Sequence, residues 1–212
     1  MKIGIMGGTF DPIHNGHLML GEYAARQFRL QKVWFLPNGN PPHKSGEISI
    51  RHRIEMVKLA LEGHDRFELN LYEAEKGTVS YSYDTIRNLN ELYPEHEFYF
   101  IIGADSLFSI ESWKCPQSLL SDCTILAACR DEKDQSQVQE QIDYLKKKYQ
   151  AGIELLLTPM MDVSSSDIRQ MVQYGMDISS LVPPGVKEYI HEHRLYLRRK
   201  RESERKCKHS CN

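Results

Sequence analysis

Two histidines and a pair of adjacent glycines lie close together near the start of the sequence. They belong to the segment Gly-Gly-Thr-Phe-Asp-Pro-Ile-His-Asn-Gly-His, which runs from Gly7 to His17. Adjacent glycines let a ligand approach the backbone closely, and amide groups at the start of a helix bind anions. His14 and His17 are three residues apart, so both rings can face one pocket across the first helical turn. The segment therefore predicts a phosphate-binding turn with two imidazole donors.

Tight packing or a zinc site could also account for residues of these types. Glycines after a strand often reflect tight packing alone, and two histidines at this spacing could bind zinc. Zinc is disfavoured because a glycine and no glutamate lies between the two histidines, and because no cysteine or set of carboxylates is nearby. No metal ligands are therefore predicted. The segment matches neither G-x-x-x-x-G-K-S/T nor G-x-G-x-x-G, which excludes a P-loop and a plain dinucleotide-binding turn.

A second set of candidate anion donors occurs late in the chain. Ser164, Ser165 and Ser166 stand before a helical pattern, and Arg169 follows one turn later. Hydroxyl residues in this place cap helices, which would account for them without a ligand. The same hydroxyls and amides, the positive end of the helix and the arginine also make a cradle for a phosphate group. The chain thus contains two separate segments suited to binding phosphate.

Both segments need a scaffold, and the hydrophobic pattern indicates one. Six short apolar or β-branched runs alternate with helical patterns, at residues 3–6, 33–36, 67–71, 98–102, 124–128 and 153–157. This order predicts a single-domain, Rossmann-like α/β fold, which is an open and mostly parallel sheet with helices on both faces. Such sheets bind ligands beyond the carboxyl ends of their strands. Gly7 lies at one such end, and Gly103 and Asp105 lie at another.

Helical patterns between the strands complete the scaffold. The helix at residues 51–61 carries an apolar stripe and is interpreted as scaffold, so Arg51 and Arg53 receive no catalytic role. Ser80 or Ser82 is expected to cap the helix that follows the third strand. The remaining helical patterns begin near Leu18, cover residues 134–149 and run up to about Tyr196.

Composition limits the kind of protein. The chain has 212 residues, 41% of them hydrophobic and 26% charged, which fits one domain with a full core. No run approaches the roughly 18 apolar residues that cross a bilayer, and the first residues form a strand pattern rather than a secretion leader. Five cysteines, an odd number, suit reduced thiols. A cytoplasmic location without membrane contact is expected.

The end of the chain differs in charge from the rest. Residues 198–212 carry seven Lys or Arg and two Glu, whereas the other 197 residues carry 20 basic and 27 acidic groups. This composition is typical of a flexible, solvated end. A basic end could also contact nucleic acid, and Cys207, His209 and Cys211 form a weak metal-like cluster. We expect a flexible tail and no nucleic-acid partner.

The motifs together resemble a known group of enzymes. The segment from Gly7 to His17 resembles the (Thr/His)-x-Gly-His motif of the nucleotidyltransferase superfamily. Over residues 1–197 the chain is similar to bacterial nicotinate mononucleotide adenylyltransferases, which implies one nucleotidyltransferase domain followed by the tail. The same resemblance implies catalytic roles for His14, His17, Lys44 and Arg169.

On the nucleotide side, the resemblance implies a set of contacts to ATP. Lys44, in the segment Pro-Pro-His-Lys, is implied to reach the ATP phosphates, and Asp105 to bind a ribose. The late motif departs from the family's Ile-Ser-Ser-Thr-x-Ile-Arg at Val163 and Ser166, and both residues keep the relevant chemistry. The implied nucleotide-binding residues are Gly7, Gly8, Thr9, Phe10, Gly103, Asp105, Arg130, Ser164, Ser165 and Ser166.

On the acceptor side, three residues are implied to bind the pyridine mononucleotide. The main chain at Thr85 is implied to bind the nicotinate carboxylate, and Trp113 to stack on the pyridinium ring with Lys114 beside it. A tryptophan face attracts such a cation by about 0.5–2 kcal/mol. Without a ligand, Thr85 would simply belong to the start of a helix, and Trp113 would cover the core.

The implied reaction transfers the adenylyl group of ATP to nicotinate mononucleotide, giving deamido-NAD and pyrophosphate. Mg²⁺ is expected to accompany ATP mostly through the phosphates. An adenylyltransferase for nicotinamide mononucleotide or phosphopantetheine, and a non-catalytic nucleotide-binding regulator, stay open as alternatives. A class I aminoacyl-tRNA synthetase is disfavoured because the chain is short and has no second Lys-rich signature loop. The sequence does not decide between a monomer and an oligomer.

Overall fold

Six parallel strands form one sheet at the centre of the computed structural model, which describes residues 1–39, 48–77, 79–129, 132–159 and 163–197. Every expected strand is present, so the predicted α/β fold is confirmed, and the sheet of these strands is parallel throughout. The strands are β1 (Lys2–Gly8), β2 (Lys32–Pro37), β3 (Phe67–Leu69), β4 (Glu97–Gly103), β5 (Thr124–Cys129) and β6 (Ile153–Leu157).

Helices connect the strands and cover the sheet. Within the described ranges, no helix is both long and apolar enough to cross a membrane. The helices are α1 (Asn15–Gln27), α2 (Ile50–Leu61), α3 (Tyr72–Glu75), α4 (Ser82–Leu92), α5 (Ala104–Ser109), α6 (Pro116–Asp122), α7 (Glu132–Tyr149), α8 (Ser165–Gln173) and α9 (Pro184–Glu192), with a 3-10 turn at Ile110–Ser112.

The order of the strands creates a crevice beside β1 and β4. The order is β3-β2-β1-β4-β5-β6, so the chain builds outward from β1 on one side and then returns to β4 on the other. Such a reversal leaves a crevice beyond the carboxyl ends of the two central strands, where this kind of sheet binds ligands. Ile5 pairs with Phe100, and both strands end three residues further on, at Gly8 and Gly103. The glycines of two predicted motifs therefore lie at the same level of neighbouring strands.

Alternating side chains along the strands fill two cores, one on each face of the sheet. On β4, Tyr99 and Ile101 face one core, whereas Phe98, Phe100 and Ile102 face the other. Helices α1, α2, α8 and α9 contribute to the first core, and α4, α5, α6 and α7 contribute to the second. The prediction of helices on both faces is confirmed. Because both faces are covered, the strands appear in the sequence as almost continuous apolar runs.

Two helices begin differently from expectation. Helix α1 begins at Asn15, three residues earlier than expected, because His14 takes the cap position. Neither Ser80 nor Ser82 caps α4, so that prediction is wrong. Tyr81 is the cap residue, and its side chain makes no capping hydrogen bond. Here the extended backbone before the helix, and not a hydroxyl cap, sets where α4 begins.

Helix α9, the last one within the described residues, ends earlier than expected. The sequence pattern continues to about Tyr196, but α9 ends at Glu192. Arg194 and Tyr196 have φ angles of 51° and 61°. A right-handed helix cannot contain such left-handed residues, so the chain turns at this point. The turn leaves Leu195 and Tyr196 buried in the first core.

Candidate active site

The first candidate phosphate-binding turn follows β1 directly. Gly7 and Gly8 end the strand, and a Cβ atom on Gly8 would lie 3.1 Å from the Phe10 ring, so a larger residue there would press on that ring. Phe10 is buried and has a φ of 49°, a left-handed conformation that is uncommon for residues other than glycine. The Asn38 amide donates to the Gly8 carbonyl at 3.0 Å. The surrounding structure therefore holds this turn in a locally unfavourable conformation, as often happens at binding sites.

The two histidines lie at the start of α1 with their rings against each other. His14 is buried, and its ring centroid is 3.8 Å from that of His17. The His14 amide donates to Nδ1 of His17 at 3.3 Å. Because Nδ1 accepts, the proton of a neutral His17 ring is on Nε2, which can donate to a phosphate oxygen. A Cβ atom on Gly16 would lie 3.0 Å from Nδ1 of His14, so the ring arrangement explains the glycine between the histidines.

Helix α8 reaches the first turn from the other end of the sequence. Its cap residue Ser164 accepts a main-chain hydrogen bond at 3.1 Å from the first turn of the helix. Ser165 Oγ donates to the Pro12 carbonyl at 2.9 Å, and Arg169 Nη1 donates to the Asp11 carbonyl at 2.8 Å. The structure thus brings the two predicted phosphate-binding segments together. It also gives Ser165 and Arg169 a structural role, because both tie α8 to the early turn.

Trp113 and Lys114 follow the 3-10 turn and lie near the start of α4. Trp113 is half-buried, and its ring meets the Phe100 ring edge-on with centroids 6.4 Å apart. Lys114 is exposed, and its Nζ lies 4.2 Å from the centre of the Tyr81 ring. Since Tyr81 is the cap residue of α4, the predicted acceptor residues adjoin the positive end of that helix.

Thr85 is buried inside α4 with both of its donors engaged. Its amide donates to the Tyr81 carbonyl at 3.0 Å, and its Oγ1 donates to Oε1 of Glu73 at 2.7 Å. Binding of a nicotinate carboxylate by Thr85 stays a prediction, and it would have to compete with the helix. Burial raises the pKa of Glu73, although the Thr85 bond and Lys76 oppose the change. The ion pair with Lys76 lowers the pKa of Asp84.

The remaining predicted residues lie at the rim or outside the described structure. Asp105 is exposed in the first turn of α5, two residues after Gly103, a place that suits a ribose contact. Ser166 is exposed in the first turn of α8. Lys44 and Arg130 fall outside the described residues, so their roles stay predictions. Among the residues that the structure describes, no group of three or more His, Cys, Asp or Glu side chains could hold a metal ion.

Arg53, interpreted from the sequence as scaffold, belongs to this site. It is only 2% exposed, and its Nη1 donates to the carbonyls of Thr9 at 2.7 Å and Asn38 at 2.9 Å. A signal for its burial was present in the sequence. Arg53 precedes the buried residues Met56 and Val57 by three and four positions, which places a cation on the inward face of α2.

Tyr196 and Asp11 form a second unpredicted contact behind the first turn. The Tyr196 hydroxyl donates to Oδ1 of Asp11 at 2.6 Å, and both residues are buried. They are 185 positions apart, so no local pattern could reveal the pair. The end of the described chain therefore closes on the turn that begins the site.

Comparisons with known proteins agree with this geometry. Residues 5–171 match the cytidylyltransferase-like family. The chain is 43% identical over 198 residues to a probable nicotinate-nucleotide adenylyltransferase of Lachnoclostridium phytofermentans, which covers 92% of this chain and 99% of the relative. A relative of the same description from Clostridium tetani is 39% identical, with coverage of 92% and 98%.

The fold is also shared with a solved structure. The Plasmodium falciparum nicotinic acid mononucleotide adenylyltransferase complexed with NaAD is similar with a TM-score of 0.76 at 23% identity, over 92% of this chain and 97% of that one. This likeness supports the fold assigned from the strand order. The family match and the relatives at about 40% identity show that this chain belongs to the nicotinate-nucleotide adenylyltransferase family, within the cytidylyltransferase-like proteins.

Proposed function

We propose that this protein transfers the adenylyl group of ATP to nicotinate mononucleotide, giving deamido-NAD and pyrophosphate in NAD biosynthesis. One observation carries the proposal in the structure. Ser165 and Arg169 of α8 donate to the main-chain carbonyls of Pro12 and Asp11, so the two segments that are predicted to bind anions lie against each other. Two such segments suit a triphosphate better than a single phosphate. Membership of the nicotinate-nucleotide adenylyltransferase family supplies the reaction.

The acceptor phosphate needs no general base. A phosphate monoester has its second pKa near 6, so its oxygen is already a nucleophile at neutral pH. That oxygen attacks the α-phosphorus of ATP, and the bond from this phosphorus to the leaving pyrophosphate oxygen breaks. The protein therefore has to align the two reactants and stabilise negative charge on the phosphate oxygens.

The site residues provide donors on two sides of the triphosphate. In the proposal, the amides of Gly8, Thr9 and Phe10 and the Nε2 proton of His17 bind it from the side of β1. The positive end of α8, with Ser164 and Ser165, binds it from the other side. His14 holds His17 in place, and Arg169 adds positive charge near the early turn. Lys44 and Arg130 are assigned here only by resemblance to the family.

A magnesium ion is part of the proposal, carried by the nucleotide. Since the described residues provide no cage of His, Cys, Asp or Glu side chains, the phosphate oxygens of ATP and water would supply its ligands. When bound, Mg²⁺ neutralises part of the phosphate charge. The hydrogen-bond donors of the two turns would bind the phosphate oxygens as well.

The acceptor pocket is proposed to lie between Trp113 and the start of α4. The Trp113 face would stack on the pyridinium ring of the mononucleotide. Lys114 and the positive end of α4 favour a carboxylate on that ring over a neutral carboxamide. The acid form of the mononucleotide is therefore the proposed acceptor.

Pyrophosphate release from ATP tests the proposal directly. We expect release with nicotinate mononucleotide, at least tenfold lower kcat/KM with nicotinamide mononucleotide, and none with phosphopantetheine or without an acceptor. Equal or faster release with the amide or with phosphopantetheine would contradict the assigned acceptor. ATP binding without release for any acceptor would instead favour a nucleotide-binding regulator.

A further inference from the structure

A buried arginine connects the two loops that begin at the crevice. Arg53 donates from Nη1 to the carbonyls of Thr9 at 2.7 Å and Asn38 at 2.9 Å, and from Nη2 to the Gly39 carbonyl at 3.4 Å. Thr9 belongs to the turn after β1, whereas Asn38 and Gly39 follow β2. One side chain therefore fixes the relative position of two loops at the carboxyl end of the sheet.

The surroundings of Arg53 are unusual for a structural arginine. Burial lowers the pKa of its guanidinium, and Asp11 and Tyr196 oppose that effect electrostatically. A buried charge is costly unless it is paired and hydrogen-bonded. Here the three carbonyls accept hydrogen bonds and Asp11 provides opposite charge nearby, so moving either loop would take partners away from the buried guanidinium.

The direction of the Thr9 carbonyl determines the direction of a neighbouring donor. In a trans peptide group, the carbonyl of one residue and the N–H of the next point in opposite directions. Because Arg53 binds the Thr9 carbonyl, the Phe10 N–H of the same peptide group points away from Arg53. Phe10 has the left-handed φ of 49°, so this peptide group needs an external contact to keep its orientation.

We propose that Arg53 is a positioning residue for adenylyl transfer, which orients the Phe10 amide toward the ATP phosphates and holds the Asn38–Gly39 loop beside it. The inference rests on the proposed role of the first turn in binding ATP. Arg53 touches neither substrate. Its planar fork matters as well as its charge, because a lysine ammonium at the same place cannot reach carbonyls of both loops with the same geometry.

The segment after β2 extends the effect toward the acceptor side. A Cβ atom on Gly39 would lie 2.9 Å from the carbonyl oxygen of Glu73, so the loop packs closely on α3. Glu73 in turn accepts the Thr85 hydroxyl bond at 2.7 Å. Neither contact involves Arg53, so both persist when its bonds to Thr9, Asn38 and Gly39 are removed, and ATP binding should respond more strongly than binding of the mononucleotide.

Steady-state kinetics of two variants and a matched control test the inference. Arg53→Met removes the fork and the charge, Arg53→Lys keeps the charge, and Arg51→Met changes an exposed arginine on the same helix. At a temperature well below unfolding, we expect kcat/KM for ATP to fall at least tenfold in Arg53→Met and less in Arg53→Lys. In both Arg53 variants, the KM for nicotinate mononucleotide should stay within threefold of its value in the unchanged protein. Arg51→Met should have the same kinetics as the unchanged protein.

The outcomes separate this inference from the proposed function. If Arg53→Met does not fold, Arg53→Lys is decisive, with an expected threefold or greater rise in the KM for ATP. Unchanged kinetics in a folded variant, or equal losses toward both substrates, would overturn the positioning role. His17→Ala in the same assay checks the site itself. If His17→Ala loses turnover while the Arg53 variants do not, only the inference fails, and normal turnover in His17→Ala would refute both.

Discussion

The hydroxyl of Tyr196 donates to Oδ1 of Asp11 at 2.6 Å, which joins the last described turn to the first turn of the site. Both residues are buried, so the carboxylate loses a hydrogen bond that water cannot replace if the hydroxyl is removed. Tyr196→Phe is expected to lower the free energy of unfolding by about 1–2 kcal/mol. Urea denaturation would measure the change, with Tyr93→Phe at the surface as control. Equal stability of the two variants would contradict a structural role for this bond.

His17 is expected to be the most sensitive single donor in the site. His17→Ala removes a donor that the His14 amide orients, and loss of one preorganised donor lowers turnover by roughly a hundredfold or more. The measurement is pyrophosphate release at saturating substrates. His191→Ala, at an exposed histidine far along the chain, should keep normal turnover. A loss of less than threefold in His17→Ala would remove His17 from the mechanism.

Trp113 is expected to act on the mononucleotide and not on ATP. Removing its ring in Trp113→Ala should raise the KM for nicotinate mononucleotide by roughly 2- to 30-fold, the equivalent of 0.5–2 kcal/mol. The KM for ATP should change by less than a factor of two. Phe108→Ala removes another aromatic ring nearby in the sequence, one that is 48% exposed, and serves as control. A larger effect on ATP than on the mononucleotide would place Trp113 elsewhere in the mechanism.

Glu73 gives the fold a pH dependence of known sign. Burial raises its pKa above the usual 4.5, so its contribution to stability is full below pH 4.5 and is lost as the pH rises through the raised pKa. Glu73→Gln keeps an oxygen for the Thr85 hydroxyl and carries no charge. It is expected to raise the free energy of unfolding at pH 7 by roughly 1 kcal/mol, and the gain should disappear toward pH 4.5.

Urea denaturation between pH 4.5 and pH 8 measures this dependence. Glu75→Gln, at an exposed position on the same helix, is the matched control and should change stability little. A Glu73→Gln variant that is less stable than the unchanged protein at pH 7 would show that the carboxylate is needed in its charged form.

The basic segment 198–212 is expected to be dispensable for catalysis. We propose that residues 1–197 form the nucleotidyltransferase domain, because every predicted site residue, including Lys44 and Arg130, lies before residue 198. A chain that ends at Leu197 should keep kcat and both KM values within twofold, measured by pyrophosphate release. The full chain is the control. A tenfold loss would indicate that the tail takes part in substrate binding.

The sequence by itself determined the scaffold and indicated the two segments that are predicted to bind phosphate. Strands and helices follow from apolar spacing over a few residues, and each predicted strand lies within the observed one or extends at most two residues beyond it. The sequence also indicated Gly7, Gly8 and the hydroxyl residues before α8, because these residues act on the backbone locally. Helix ends were less predictable, since Tyr81 caps α4 without a side-chain bond and left-handed residues follow soon after the end of α9.

Only the tertiary structure decided how the site residues are used. Arg53 reaches Thr9 across 44 positions, Arg169 reaches Asp11 across 158, and Tyr196 reaches the same aspartate across 185. The bond from the Thr85 hydroxyl to Glu73 was equally hidden. Such contacts depend on the order in which strands join the sheet, and on which faces then meet. Local spacing carries no information about either, so a pattern of residues can indicate donors without showing which of them the protein itself already binds.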